Sequence, residues 1–119
     1  ADLVEKSPRA ATIVQRNAGR VSKAVGTGTT IRVHRASADS FLRSARGPFD
    51  VVFVDPPYDL GATELHTTLA ALRARLSPEA VVVVERATRS GAPSLPEGLR
   101  HERAKRYGDT TLWWVRPDA

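Results

Sequence analysis

The tetrapeptide Asp55-Pro56-Pro57-Tyr58 joins a carboxylate, a rigid backbone and an aromatic ring. That set suits an amino group that must be made nucleophilic. The lone pair of an exocyclic amine on a nucleic-acid base is delocalised into the ring, so the nitrogen attacks poorly. The Asp55 side chain and the Pro56 carbonyl would accept its two hydrogens, draw the nitrogen toward a pyramidal geometry and aim its lone pair at a methyl group. The prolines stiffen the backbone, so these acceptors are arranged before a substrate arrives. Tyr58 offers a flat face on which an extruded base can stack. The same residues would also make an ordinary turn with Asp55 as its first member. The apolar run Val51-Val52-Phe53-Val54 before them favours the chemical reading, because open α/β sheets bind ligands at the carboxyl ends of their strands.

Two further acids stand where a nucleoside could be held. Glu5 follows Leu3-Val4, and an acid ending a strand can bind both hydroxyls of a ribose. A capping or solvated acid near a helix start fits Glu5 equally well. Asp39, after Ser37-Ala38, suits either an adenine amine or the N-cap of a turn at Phe41-Leu42. Nearer the C-terminus, Arg86, Arg89, Arg100, His101, Arg103, Lys105 and Arg106 cluster around Tyr107. Arg86, Arg89, Arg103, Lys105 and Arg106 are the expected RNA contacts, gripping phosphates around a splayed base. A charged edge strand that resists aggregation is the other use of such a run. Trp113 and Trp114 are adjacent on a strand and face opposite ways, so at least one belongs to the core. His34, His66 and His101 share no metal-ligand spacing, and no metal site is expected.

The elements that must position these residues alternate along the chain. Leu3-Val4 reads as a short strand. Ser7 caps and Pro8 opens a helix whose apolar residues Ala10, Ile13, Val14, Ala18 and Val21 recur at helical spacing and which fades near Val25. Thr30 to Ala36 alternates as a strand, and a short helix starts near Asp39. Phe49 to Val54 is expected to be a strand buried on both faces, as in a parallel sheet. A helix is expected from about Gly61 to Leu76, with Leu65, Leu69, Leu72 and Leu76 as its stripe and Ser77-Pro78 as its stop. Ala80 to Val84 is a further apolar strand ending at Glu85, and 89–98 reads as a loop. His101 to Tyr107 and Thr110 to Val115 form a hairpin turned by Gly108-Asp109. The order implies an α/β Rossmann-like sheet, mostly parallel with an antiparallel hairpin at its end, in a single domain over 1–119.

Bulk properties agree with this outline. The 119 residues are 41% hydrophobic and 26% charged, enough for a packed core. Lys and Arg total 18 against 13 Asp and Glu, a net charge of +5 that favours a polyanionic partner. The absence of Cys excludes disulfide frameworks and Cys-based metal sites. No apolar run approaches the roughly 20 residues of a membrane span, no secretory signal is visible, and the expected compartment is the cytoplasm.

Taken together, these segments resemble a known family. Leu3 to Ala10 and the helix through Asn17 resemble the acidic cofactor motif of class I methyltransferases. Val52 to Tyr58 resembles the amino-methyltransferase catalytic motif. Val83-Val84-Glu85 and Tyr107-Gly108-Asp109-Thr110 resemble the tail of bacterial enzymes that methylate a guanine exocyclic amine (N2) in small-subunit (16S) ribosomal RNA. The resemblance implies S-adenosyl-L-methionine as donor and the small ribosomal subunit as partner. It assigns Asp55, Pro56, Pro57 and Tyr58 to the catalytic pocket, and Glu5, Lys6, Ala38, Asp39 and Asp55 to the cofactor. A DNA adenine or cytosine amino-methyltransferase shares the tetrapeptide, and a non-catalytic nucleic-acid-binding domain could share the scaffold. The family also has an earlier strand and Gly-rich loop, which this sequence lacks at its start. That strand is expected to lie centrally, between the strands at Leu3 and Phe49, so its absence would leave two unpaired edges. The 119 residues alone are then expected to bind cofactor weakly or not at all and to be inactive, while the longer enzyme is expected to be a monomer.

Overall fold

A computed structural model describes residues 1–26, 30–56 and 60–118. The chain divides into two compact units, Ala1–Ala45 and Arg46–Ala119.

The first unit pairs two short parallel strands, β1 (Asp2–Val4) and β2 (Arg32–His34). Helix α1 (Pro8–Val25) connects them, and α2 (Ala38–Ser44) follows. As the sequence indicates, the Ser7 hydroxyl accepts from the Ala10 N–H, and Pro8, which needs no intrahelical partner, opens α1. Ala11 and Ala18 form its buried face. The cap of α2 is Ser37, which accepts from the Ser40 N–H, and not Asp39, which sits in the first turn. There its charge complements the positive end of the helix dipole.

The second unit is a four-stranded sheet in the order β3-β4-β6-β5. It comprises β3 (Phe49–Val54), β4 (Leu76–Ala87), β5 (Leu99–Tyr107) and β6 (Thr110–Pro117), with helix α3 (Ala62–Arg73) between β3 and β4. β3 and β4 run parallel, while β6 is antiparallel to both β4 and β5. The Gly108-Asp109 hairpin turn falls where expected, with Gly108 at positive φ. Leu65 and Leu69 of α3 and Val82, Val84 and Val115 of the sheet are fully buried and make the core. On the other face of the sheet, Val51 and Phe53 are 62% and 77% exposed, which corrects the expectation that β3 is buried on both faces: within this unit only the α3 side is covered. Among the described residues β1 and β2 pair only with each other, and β3 and β5 are the edges of the four-stranded sheet.

Helix α3 stops earlier than the leucine periodicity predicts. Leu76 belongs to β4, where it pairs with Phe49, and Ser77-Pro78 lies inside the strand. The proline is tolerated because the ladder breaks there. Between the pairs Phe49↔Leu76 and Val51↔Val81 the register shifts, so Pro78 need not donate. Gly47 secures this junction. It adopts φ 58°, and a Cβ would lie 2.7 Å from the Arg75 carbonyl, the same carbonyl that accepts from the Phe49 N–H at 2.7 Å.

No helix among the described residues is long and apolar enough to cross a membrane. Leu69→Ala removes a fully buried side chain from the core and is expected to destabilise the chain by about 3 kcal/mol in urea unfolding. A loss below about 1 kcal/mol would show that α3 does not seat on the sheet as described.

Candidate functional site at the carboxyl ends of the strands

Asp55 follows β3 directly, and its place is set by the ladder with β4. Val54 pairs with Val84, so Asp55, leaving β3, comes beside Glu85, which is still within β4. Partners in a ladder point to the same face, and side chains alternate along a strand. Asp55 and Glu85 therefore lie on the face of Phe53 and Val83, opposite the α3 core. Asp55 is exposed, and Pro56 and Glu85 are half-buried. Hydrogen bonding to Asp55, then partial burial, then the negative charge of Asp55 raise the pKa of Glu85 above its ordinary value. Pro57 and Tyr58 lie outside the described residues.

The next residue, Arg86, turns to the other face and is only 8% exposed. This corrects its assignment to the RNA-facing set. Its Nη1 donates to the Leu60 carbonyl at 3.3 Å, and its Nε is buried without a partner among the described residues. A buried guanidinium is poorly placed to meet phosphate. It ties β4 to the segment that follows the Asp-Pro-Pro-Tyr motif.

The other expected RNA contacts, Arg89, Arg103, Lys105 and Arg106, are exposed. Through Trp114 and Leu112 of β6, Arg103 and Lys105 are in register with Val83 and Glu85, so they share the face of Asp55. The Arg103 guanidinium lies 4.2 Å from the Trp114 ring centroid, and the Lys105 ammonium lies 5.2 Å from that of Tyr107. Arg89 and Arg106 line a cavity of about 240 Å³ with Thr88 and Asp109, and the Arg106 Nε donates to the Gly108 carbonyl. Trp113 faces the core side, its ring 5.7 Å from that of His101.

In the first unit, the β1–β2 pairing continues past its last ladder pair. The Glu5 N–H donates to the His34 carbonyl, and the Ala36 N–H to the Glu5 carbonyl. The chain leaving β2 toward Ala38 and Asp39 is thereby brought beside Glu5. Glu5 is half-buried and its Oε1 accepts from the Ser7 N–H at 2.9 Å, which orients the carboxylate. Lys6, Ala38 and Asp39 are exposed. His34 pairs with Asp2 at 2.9 Å and packs on Phe41, His66 bonds Ser94, and His101 bonds the Pro93 carbonyl. No group of metal-ligating side chains occurs among the described residues.

Two residues of the site escaped sequence reasoning. In the sequence Glu85 stands as the end of a strand and as part of the tail resemblance, with no role assigned, although Val-Val-Phe-Val-Asp and Val-Val-Val-Val-Glu are apolar runs that each end in an acid. Adjacent parallel strands bring such ends together. Arg86 was grouped with its basic neighbours, yet it alternates with Val82 and Val84, the signal for an inward-facing position.

Comparison with known proteins follows this geometry. The family model described as conserved hypothetical protein 95 matches residues 1–116. The chain is 35% identical over 77 residues to "Ribosomal RNA small subunit methyltransferase D" of Escherichia coli, a match covering 65% of this chain and 39% of that protein. The chain thus matches about two fifths of the length of that relative. A solved structure of a conserved hypothetical protein from Streptococcus pyogenes superposes with a TM-score of 0.81 at 29% identity, covering 99% of this chain and 71% of the other. The N-methyltransferase NodS from Bradyrhizobium japonicum shares the fold at a TM-score of 0.64 and 19% identity, over 99% of this chain and 73% of that one. The fold is accordingly the α/β fold of methyltransferases, with parallel and antiparallel strands mixed in one sheet. The chain belongs to the conserved hypothetical protein 95 family, a family of class I methyltransferases.

Proposed function

We propose that this chain forms part of one catalytic domain that moves a methyl group from S-adenosyl-L-methionine to the exocyclic amine of a guanine in small-subunit ribosomal RNA. The observation that carries the reading is the exposed Asp55, followed by Pro56, at the carboxyl end of a parallel strand that is half-buried on one face and exposed on the other. The name of the Escherichia coli relative supports the RNA substrate. So does the placement of Arg103 and Lys105 on the face that Asp55 shares, where phosphates beside the target base would be met.

The residues of the first unit suit the donor. Glu5, oriented by the Ser7 N–H, offers carboxylate acceptors for ribose hydroxyls. Asp39, carried beside Glu5 by the Ala36–Glu5 hydrogen bond, suits the adenine amine, with Ala38 and Lys6 flanking. The donor, when bound, supplies a methyl group on a positively charged sulfur. Asp55 and the Pro56 carbonyl accept the two hydrogens of the guanine amine and turn its lone pair toward that methyl. Tyr58 stacks on the base. Asp55, as an anion, also stabilises the positive charge that develops on the nitrogen and takes up the proton it releases.

Asp55→Ala is expected to lower kcat for methyl incorporation into small ribosomal subunits on the order of a hundredfold or more, with RNA affinity nearly unchanged. A variant that methylates at the original rate removes Asp55 from the chemistry, and a protein that binds RNA and never methylates is a binding domain on this scaffold.

Arg89→Ala combined with Arg106→Ala is expected to weaken RNA binding and to flatten the dependence of log K on log salt by roughly 0.7–0.9 per lost phosphate contact. Arg86→Met should leave that slope unchanged, because Arg86 is buried. A shallower slope in Arg86→Met would return Arg86 to the interface.

A further inference from the structure

Two carboxylates side by side are unusual unless something uses them. Asp55 and Glu85 stand together because β3 and β4 are parallel and in register up to Val54↔Val84, so the residue that follows β3 lies beside Glu85 of the longer β4. Among the described residues, Asp55 is the one ionisable group that acts on Glu85. On β6, the ladder partner of Glu85 is Leu112, with Trp114 next on the same face. On β5, Lys105 is the cation in register with that rung, two strands away, and its ammonium lies over Tyr107. Arg103 is committed to Trp114, and Arg116 lies 3.6 Å from Glu102. Among the described residues no cation stands on the adjoining rung between the two acids, and Asp55 raises the pKa of Glu85, which favours the protonated form of the Glu85 carboxyl beside Asp55.

We propose that Glu85 is a positioning residue for methyl transfer: from the end of β4 its carboxyl group donates a hydrogen bond to the Asp55 carboxylate and fixes the orientation in which Asp55 meets the amine. The inference rests on the amine-methylation reading of Asp55. The terminal torsion of an aspartate is broad and two-fold, so an exposed Asp55 without a neighbour would sample many orientations. A donor on one oxygen reduces that freedom and leaves the other oxygen, with its lone pairs, as the acceptor. The pair then carries one negative charge. As pH rises through the titration of Glu85, the donor is lost, the two anions repel, and Asp55 loses its fixed orientation. The raised pKa of Glu85 extends the working range of the donor to higher pH than a free glutamate would allow.

The first test needs no activity. Carboxyl-carbon NMR of the labelled chain should show Glu85 titrating above an ordinary glutamate, and Asp55→Asn should bring it down, because an amide donates to the Glu85 carboxylate in place of repelling it. An ordinary Glu85 titration, or one unmoved by Asp55→Asn, overturns the inference whatever the protein methylates. The second test uses the pH profile of kcat for methyl transfer. Glu85→Gln keeps a donor at every pH, so it should retain activity and lose the alkaline decline that wild type shows across the Glu85 titration. Glu85→Leu keeps neither donor nor charge and should lose kcat on the order of a hundredfold with little change in KM. A Glu85→Gln profile that declines as wild type does, or a Glu85→Leu variant with full kcat, also overturns it. Absence of methyl transfer in wild type at any pH would instead refute the amine-methylation reading and leave the titration result to decide the pairing.

Discussion

The parallel ladder between β3 and β4 is the constraint on which the site depends. From Val51↔Val81 to Val54↔Val84 it is regular, and it brings Asp55, just past the end of β3, beside Glu85 of β4. Side chains alternate along a strand, so a slip of one residue would turn Asp55 toward the α3 core and bring Arg86 to the open face. At the other end of the strand Gly47 lets the chain approach the Arg75 carbonyl closely enough for the Phe49 N–H to bond it. The register shifts between Phe49 and Val51, and the regular ladder that places the acids begins beyond that shift.

The same alternation sorts the charges. Asp55, Glu85, Lys105 and Arg103 share one face of the four-stranded sheet, acids on the strands at one side and cations on the hairpin strand at the other. Arg86 faces the opposite way and is spent on the Leu60 carbonyl. A flat aromatic substrate carrying a polyanionic backbone could place its amine at the acids and its phosphates at the cations without either crossing the sheet. The cation–π contacts of Arg103 and Lys105 orient their long side chains along that face, which lowers the entropy lost when phosphate is gripped.

Much of this was legible in the sequence because the signals were local. Ser7-Pro8 marked the start of α1, Gly108-Asp109 the hairpin, and the unbroken apolar run before Asp55 a parallel strand, though one whose Val51 and Phe53 face is exposed. The errors arose where a tertiary pairing overrode a local pattern. Leu76 continued the leucine spacing of α3 and Ser77-Pro78 looked like a helix stop, yet pairing with Phe49 drew both into β4. Asp39 looked like a cap, but Ser37, two residues earlier, took that role. Arg86 was read with its charged neighbours and not with the buried valines it alternates with. The Asp55–Glu85 pair needed the register of two strands separated by a helix, which no local window contains.

The most direct measurement is a crystal structure of the protein with a guanine nucleotide and S-adenosyl-L-homocysteine bound. The account predicts the exocyclic guanine nitrogen about 2.7–3.2 Å from both an Asp55 carboxylate oxygen and the Pro56 carbonyl, with Glu85 on the far side of the Asp55 carboxylate. A guanine amine held elsewhere, or an Asp55 side chain turned away from the base, would contradict it.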